Sequence, residues 1–172
     1  MDAPAMNTVT LDTNTVDDEK VIDAAHTAGY IVTHTSVTDR ELSGSDVVAT
    51  TPIPAQIVES FVFGESCFGS GALAPDSDEV ISEKLLKIIS NGSFPAIGRR
   101  ENLTKPQRRQ LRDAMILSAH IREGRDIFVT NDVKGFIADG RRELIEREFE
   151  TRVMTSRQFI TMCTSPDCPP MS

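Results

Sequence analysis

Tryptophan is absent and tyrosine occurs once, so eight phenylalanines carry almost all of a 5 % aromatic content. The core must therefore be built from Ile, Val, Leu, Ala and Phe, within an apolar share of 39 % that is ordinary for a globular chain once glycine is added. Long apolar runs are also missing. None approaches the ~20 residues that cross a bilayer, which argues against membrane association. The N-terminus lacks the basic-then-apolar pattern of a secretory leader, so a cytoplasmic location is the default expectation. Three cysteines do not make a disulfide framework. Cys67 is far in sequence from Cys163 and Cys168, and His26, His34 and His120 show no spacing with them that would assemble a four-ligand zinc site. The cysteines read as structural or incidental.

Basic charge is scarce: 18 Lys and Arg face 26 Asp and Glu, for a net charge of −8. Taken over the whole chain, this opposes nucleic-acid binding, which leaves a basic footprint. The charge is unevenly spread, however. Arg99, Arg100, Lys105, Arg108, Arg109 and Arg112 stand close together with one acid among them, Glu101. A solvated helix face and a phosphate-binding patch are both open readings of this cluster. It leads directly into Asp113.

The length of 172 residues favours one domain. Residues 1–7 read as a disordered lead-in, 8–163 as a single domain and 164–172 as a flexible tail. Thr8 to Leu11 alternates and is β-branched, which predicts a strand ending at Asp12. Asp17 or Asp18 caps a helix carrying Val21, Ile22, Ala24, Ala25 and Ala28, and Gly29 stops it. Tyr30 to His34 is a second strand, parallel to the first because the whole unit has βαβ length. Val37 to Leu42 could open a helix. Residues 50–78, broken by Pro52 and Pro54 and rich in Gly and Ser, read as an irregular insertion or lid, with room for a short strand near Ile57 to Val62. Glu79 to Ile89 is a helix.

Thr104 with Pro106 begins the strongest helix, buried around Ala114 to Leu117 and stopped near Glu123 by Gly124. A strand from Asp126 to Thr130 follows, then a turn at Phe136 to Ala138, a helix over Arg141 to Glu148, and a strand over Thr151 to Thr155. A last helix, capped by Ser156, runs through Ile160. The order β, α, β, helical middle, α, β, α, β, α predicts an α/β fold, a three-layer α/β/α sandwich around a mostly parallel sheet.

Ligands bind such sheets outside the carboxyl ends of the strands. Two strands end in carboxylates, Asp12 and Asp132, and Asp113 stands just before the apolar run of its helix. A carboxylate in that position needs a cation or donors beside it. Arg109 or Arg112 would serve, and so would a metal ion. Glu41, with Asp39 beside it, is a further acid beyond the second strand. Converging carboxylates repel, and a divalent cation makes them tolerable. All-oxygen ligation suits Mg²⁺ or Mn²⁺, which can activate water and offset charge on a phosphodiester. Thr13, Asn14, Thr130 and Asn131 could hold waters and orient the acids.

Leu11-Asp12-Thr13-Asn14, Asp113-Ala114 and Phe128-Val129-Thr130-Asn131-Asp132 with Lys134-Gly135-Phe136 resemble the PIN-domain nucleases over most of residues 8–160. The family's ordered acids fall on Asp12, Glu41, Asp113 and Asp132, with Asp39 an alternative or supporting central acid. The resemblance implies a sheet of about five parallel strands and cleavage of RNA, single-stranded or structured, with Mg²⁺ or Mn²⁺. It implies Asp12, Asp113 and Asp132 as metal ligands and Glu41 as a further ligand or an orienter of water. It also implies a homodimer and, as in toxins of bacterial toxin–antitoxin pairs, an antitoxin partner. The chain departs from compact toxins in its 50–78 segment and its acidity. A non-catalytic RNA- or protein-binding module on the same fold is the alternative.

Other phosphoryl chemistries lack their residues. Position 14 is Asn where haloacid-dehalogenase-type phosphatases need Asp, and Asn14 with Val16 breaks an Asp-x-Ser-x-Ser metal motif. There is no Gly-rich loop followed by Lys and Ser or Thr, and no Gly-x-Ser-x-Gly elbow.

Overall fold

β1 (Thr8–Leu11) sends Val9 and Leu11 to one face and Thr10 to the other, and all three are buried. Burial of both faces is the condition of a strand in a parallel sheet with helices on either side. The computed structural model describes residues 7–35, 55–57 and 76–165. α1 (Glu19–Thr27) starts where the Asp18 carboxylate accepts the backbone N–H groups of Lys20 and Val21, turns Val21, Ile22, Ala24 and Ala25 inward, and gives way to Gly29 at φ 76°. β2 (Ile31–Thr35) returns parallel to β1, with Val32 opposite Val9. β3 (Ala55–Ile57) lies parallel beside β2.

The remaining elements are α2 (Asp76–Ile89), α3 (Lys105–Arg122), β4 (Ile127–Val129), α4 (Arg141–Phe149), β5 (Arg152–Met154) and α5 (Ser156–Thr164). α3 opens with a reciprocal cap: the Gln107 N–H donates to the Thr104 hydroxyl and the Thr104 N–H to the Gln107 side chain. Pro106 fits its first turn, and Gly124 at φ 60° follows its end.

The strand order is β3-β2-β1-β4-β5, and every neighbouring pair is parallel. The chain is α/β with a parallel sheet, as its element order predicts. β3 is a three-residue edge strand paired to β2. Two apolar cores flank the sheet. One joins Leu85, Leu86 and Ile89 of α2, the α3 run from Leu111 to Leu117, Ile145 of α4, Phe128 and Val153. The other joins Val21, Ile22 and Ala25 of α1, Phe159 of α5, Val9, Leu11, Ile127 and Val129. Phe128 and its neighbours Ile127 and Val129 thus serve opposite cores, compatible with a three-layer sandwich.

Several boundaries differ from expectation. Within residues 50–78, β3 stands at Ala55–Ile57, ahead of the short strand expected near Ile57 to Val62, and α2 begins at Asp76 rather than Glu79; the rest of the stretch lies outside the described residues. The last helix is capped by Thr155, not Ser156: Thr155 accepts the Gln158 N–H and Gln158 reaches back to the Thr155 N–H. That helix runs to Thr164, past both Ile160 and the expected domain end. After β4 the chain makes one π turn, Val133–Ile137, and a tight turn, Ala138–Gly140. The Asn7 carbonyl accepts the Ile31 N–H, tying the end of the lead-in to β2. The proposed helix at Val37 to Leu42, with Asp39 and Glu41, lies outside the described residues, as do Cys67 and Cys168. Cys163 packs, half-buried, on the second core. Among the described residues no helix is long and apolar enough to cross a membrane.

One polar chain crosses the first core. His120 of α3 places Nδ1 2.8 Å from the Thr10 hydroxyl and Nε2 2.7 Å from the Thr151 hydroxyl, and Thr10 in turn lies 3.1 Å from the Thr33 hydroxyl. The ring is fully buried. Burial pushes its pKa from 6.5 down to about 3; Arg125 pushes the same way and Asp126 opposes. His120 is therefore a neutral imidazole, with one nitrogen donating and the other accepting.

Candidate functional site

From β1 the chain moves outward to β2 and β3, then continues in β4 and β5 on the other side of β1. The junction of β1 and β4 is thus where the connections change direction, and a crevice opens outside the carboxyl ends of the strands at such a point. Asp12 directly follows β1, and Thr130, Asn131 and Asp132 follow β4.

Asp12 is only 3 % exposed. A carboxylate at that depth needs donors, and it has them. The Thr13 N–H donates to Oδ1 at 2.8 Å, while the Asn14 amide and the Thr130 hydroxyl donate to Oδ2 at 2.8 and 2.6 Å. The Thr130 oxygen also accepts the Asp132 N–H at 3.0 Å, so one hydroxyl couples the acids of the two strand ends. The Asn131 N–H donates to the Asn14 side-chain oxygen at 2.8 Å and so orients Asn14. The Asn131 side chain itself turns away, to Ser156.

Asp132 caps the π turn that follows it. Its Oδ1 accepts the Gly135 N–H at 2.9 Å, and its Oδ2 accepts from Arg109 Nη2 at 2.9 Å. Asp113 is half-buried and lies one helical turn beyond Arg109 on α3. A Cβ built on Gly135 would stand 3.0 Å from Asp132 Oδ2 and 3.6 Å from Asp113 Oδ2, so both carboxylates face one point. The φ of Gly135 is not in the left-handed region. What glycine supplies here is space beside two acids, not backbone freedom.

A cavity of about 550 Å³ collects these groups. Asp12, Asp113 and Asp132 line it with Thr13 and Asn14, and α3 contributes Lys105, Pro106, Arg109 and Arg112. Lys105, Arg109 and Arg112 recur at helical spacing and so share one face of α3. The other three members of the basic cluster do not line this cavity. Arg100 is clamped on Glu83 of α2 by contacts of 2.7 and 2.8 Å, donates to the Pro95 carbonyl, and stacks over the Phe94 ring at 5.0 Å. Arg108 donates to the Leu103 carbonyl. Arg99 is exposed. Of the six cations expected to bind phosphate, Lys105, Arg109 and Arg112 therefore line the cavity, and Arg100 is engaged elsewhere by a partner distant in sequence. Glu41 and Asp39 lie outside the described residues.

Among the described residues, no three His, Cys, Asp or Glu side chains stand close enough to form a ready-made metal site. The donor chemistry is nevertheless oxygen only, the kind that suits Mg²⁺ or Mn²⁺. Mg²⁺ is commonly held by one or two carboxylates and keeps several waters. Asp113 and Asp132 both line the cavity, and are the residues that could hold such a partly hydrated ion. Gly135 was not singled out as a functional residue in the sequence. Its signal was only a glycine three residues after a strand-end Asp.

No model of a known protein family matches this chain, and no characterised protein matches it in sequence.

Proposed function

We propose that the chain is a Mg²⁺- or Mn²⁺-dependent ribonuclease of PIN type. The observation that carries this reading is the single cavity at the β1/β4 junction in which Asp12, Asp113 and Asp132 meet three cations of α3. The acids can hold a cation and the basic side chains a polyanion, the two tasks that phosphodiester cleavage combines.

In this reading Asp113 and Asp132 would hold the divalent ion, which when bound would supply water activation and charge stabilisation. Asp12, fixed by Thr13, Asn14 and Thr130, keeps a buried negative charge at the cavity wall, oriented by three donors. Glu41, or Asp39 beside it, supplies the fourth acid. Lys105, Arg109 and Arg112 bind phosphate oxygens and orient the RNA strand. A toxin role with an antitoxin partner, and a homodimer, belong to the same proposal.

The decisive experiment is Mn²⁺-dependent cleavage of single-stranded RNA by the wild type, Asp12→Asn and Asp113→Asn, with circular dichroism to check the fold. Loss of a group that orients a metal ligand costs about 10–100-fold, so loss of a ligand carboxylate should cost at least that. Full activity in both variants would remove the proposal. The Arg109–Asp132 ion pair favours a second reading, a non-catalytic RNA-binding module in which arginine has taken a metal's place. Such a module binds RNA but neither binds Mn²⁺ nor cleaves.

A further inference from the structure

We infer that Arg109 is a displaceable counter-ion, which holds Asp132 Oδ2 until an RNA phosphate draws it off, so that RNA and the divalent ion assist each other's binding. This inference rests on the nuclease reading and adds how its site is regulated. Asp132 has two oxygens, and the structure commits both. Oδ1 accepts the Gly135 N–H and Oδ2 accepts Arg109. Asp113 Oδ2 approaches the same side of Gly135 as Asp132 Oδ2, and Asp132 Oδ2 is the oxygen that Arg109 occupies. A divalent ion and a guanidinium on the same oxygen would compete for its lone pairs and repel each other at a separation of a few ångströms. The two cations must therefore take turns.

Arg109 is suited to leaving. Its side chain is 69 % exposed while that of Asp132 is 12 % exposed. Ion pairs with one solvated member are held weakly. Its destination lies in the same cavity: Lys105 and Arg112 flank it on the lining face of α3, so a phosphodiester entering there meets three cations. A guanidinium pairs with phosphate through two parallel hydrogen bonds. Each phosphate that captures Arg109 uncovers Asp132 for the metal, and by linkage each metal that displaces Arg109 offers it to RNA.

A purely structural ion pair predicts the opposite sign. If Arg109 only braced Asp132, its removal would loosen the acid and weaken metal binding. As a competitor, its removal strengthens it. The test is a titration of metal-free protein with Mn²⁺ alone, in the absence of RNA, following free Mn²⁺ by electron paramagnetic resonance. Arg109→Ala and Arg109→Gln should each bind Mn²⁺ about tenfold tighter than wild type, within the usual range of couplings between sites. Adding Asp132→Asn to Arg109→Ala should cancel the gain. The KM for single-stranded RNA should rise in both Arg109 variants, since a phosphate ligand is lost. Mn²⁺ binding by the wild type that neither Arg109 variant strengthens overturns the counter-ion role and leaves the nuclease reading standing. An absence of Mn²⁺ binding in every form overturns the nuclease reading and this inference with it.

Discussion

Acid should unfold this protein earlier than its carboxylates alone dictate, and His120 supplies the reason. Its imidazole is buried between two threonine hydroxyls, and burial pushes its pKa from 6.5 down to about 3 in the fold. Between those values the unfolded chain binds a proton that the native protein refuses. The stability that neutral His120 contributes is therefore whole above about pH 6.5 and is lost progressively as pH falls toward 3. At pH 5 the unfolded histidine is almost fully protonated, about 1.5 pH units below its own pKa. At about 1.4 kcal/mol per unit, the loss from pH 7 to pH 5 is ~2 kcal/mol. That is a large fraction of the ~5–15 kcal/mol that holds an ordinary domain together. The assay is urea unfolding at pH 7, 6 and 5, comparing wild type with His120→Gln, whose amide can still donate and accept but does not titrate. His120→Gln is expected to be less stable at pH 7 yet to lose ~2 kcal/mol less than wild type on acidification. Parallel losses in the two proteins would refute the reasoning, as would a ring resonance of His120 that titrates above pH 5 in the folded state.

What was legible in the sequence was what neighbours decide. Asp18 ahead of an apolar helix face, Thr104 with Gln107 three residues on, and the β-branched run before Asp12 are local patterns, and the structure forms them locally. The parallel sheet follows from the order of such elements. The cap of α5 was equally local, in Thr155 and Gln158, but Ser156 beside it is an equally good capping residue by type, and only the reciprocal Gln decides between them. Contacts made at long range were hidden. Arg100 belongs to the same basic run as Arg112, and nothing in that run announces that Glu83 of another helix claims it. His120 lies beyond the run from Ala114 to Leu117 that marked the buried part of its helix, and its partners Thr10 and Thr151 come from distant parts of the chain. Asp12 and Asp132 were legible as strand-end acids because position alone marks them, whereas the space that Gly135 leaves between Asp113 and Asp132 exists only once α3 is packed against the turn.

Arg100→Ala removes a two-contact clamp on Glu83 and a ring contact with Phe94; chemical unfolding should show a loss of ~1–2 kcal/mol, the scale of a hydrogen bond to a charged group, with RNA cleavage unchanged because Arg100 does not line the cavity. Thr130→Val keeps shape but deletes the hydroxyl shared by Asp12 and Asp132; cleavage should fall about 10–100-fold, as for other groups that orient a ligand, and unchanged activity would show that the coupling of the two acids is idle. Gly135→Ala separates the two roles a glycine can have. Its φ is one that alanine accepts, so the backbone should tolerate the change and even gain ~0.4–1 kcal/mol from a stiffer unfolded chain. The new methyl, however, would lie 3.0 Å from Asp132 Oδ2 and 3.2 Å from its Cγ. Asp132 cannot easily retreat, because Arg109 holds one oxygen and the Gly135 N–H the other. The methyl crowds the Asp132 carboxylate, so the strain should offset the gain from the stiffer unfolded chain, and Mn²⁺ affinity and RNA cleavage should both fall. If Gly135→Ala binds Mn²⁺ as wild type does, the cation does not sit between those two acids. If it unfolds instead, the glycine serves only the packing of the turn.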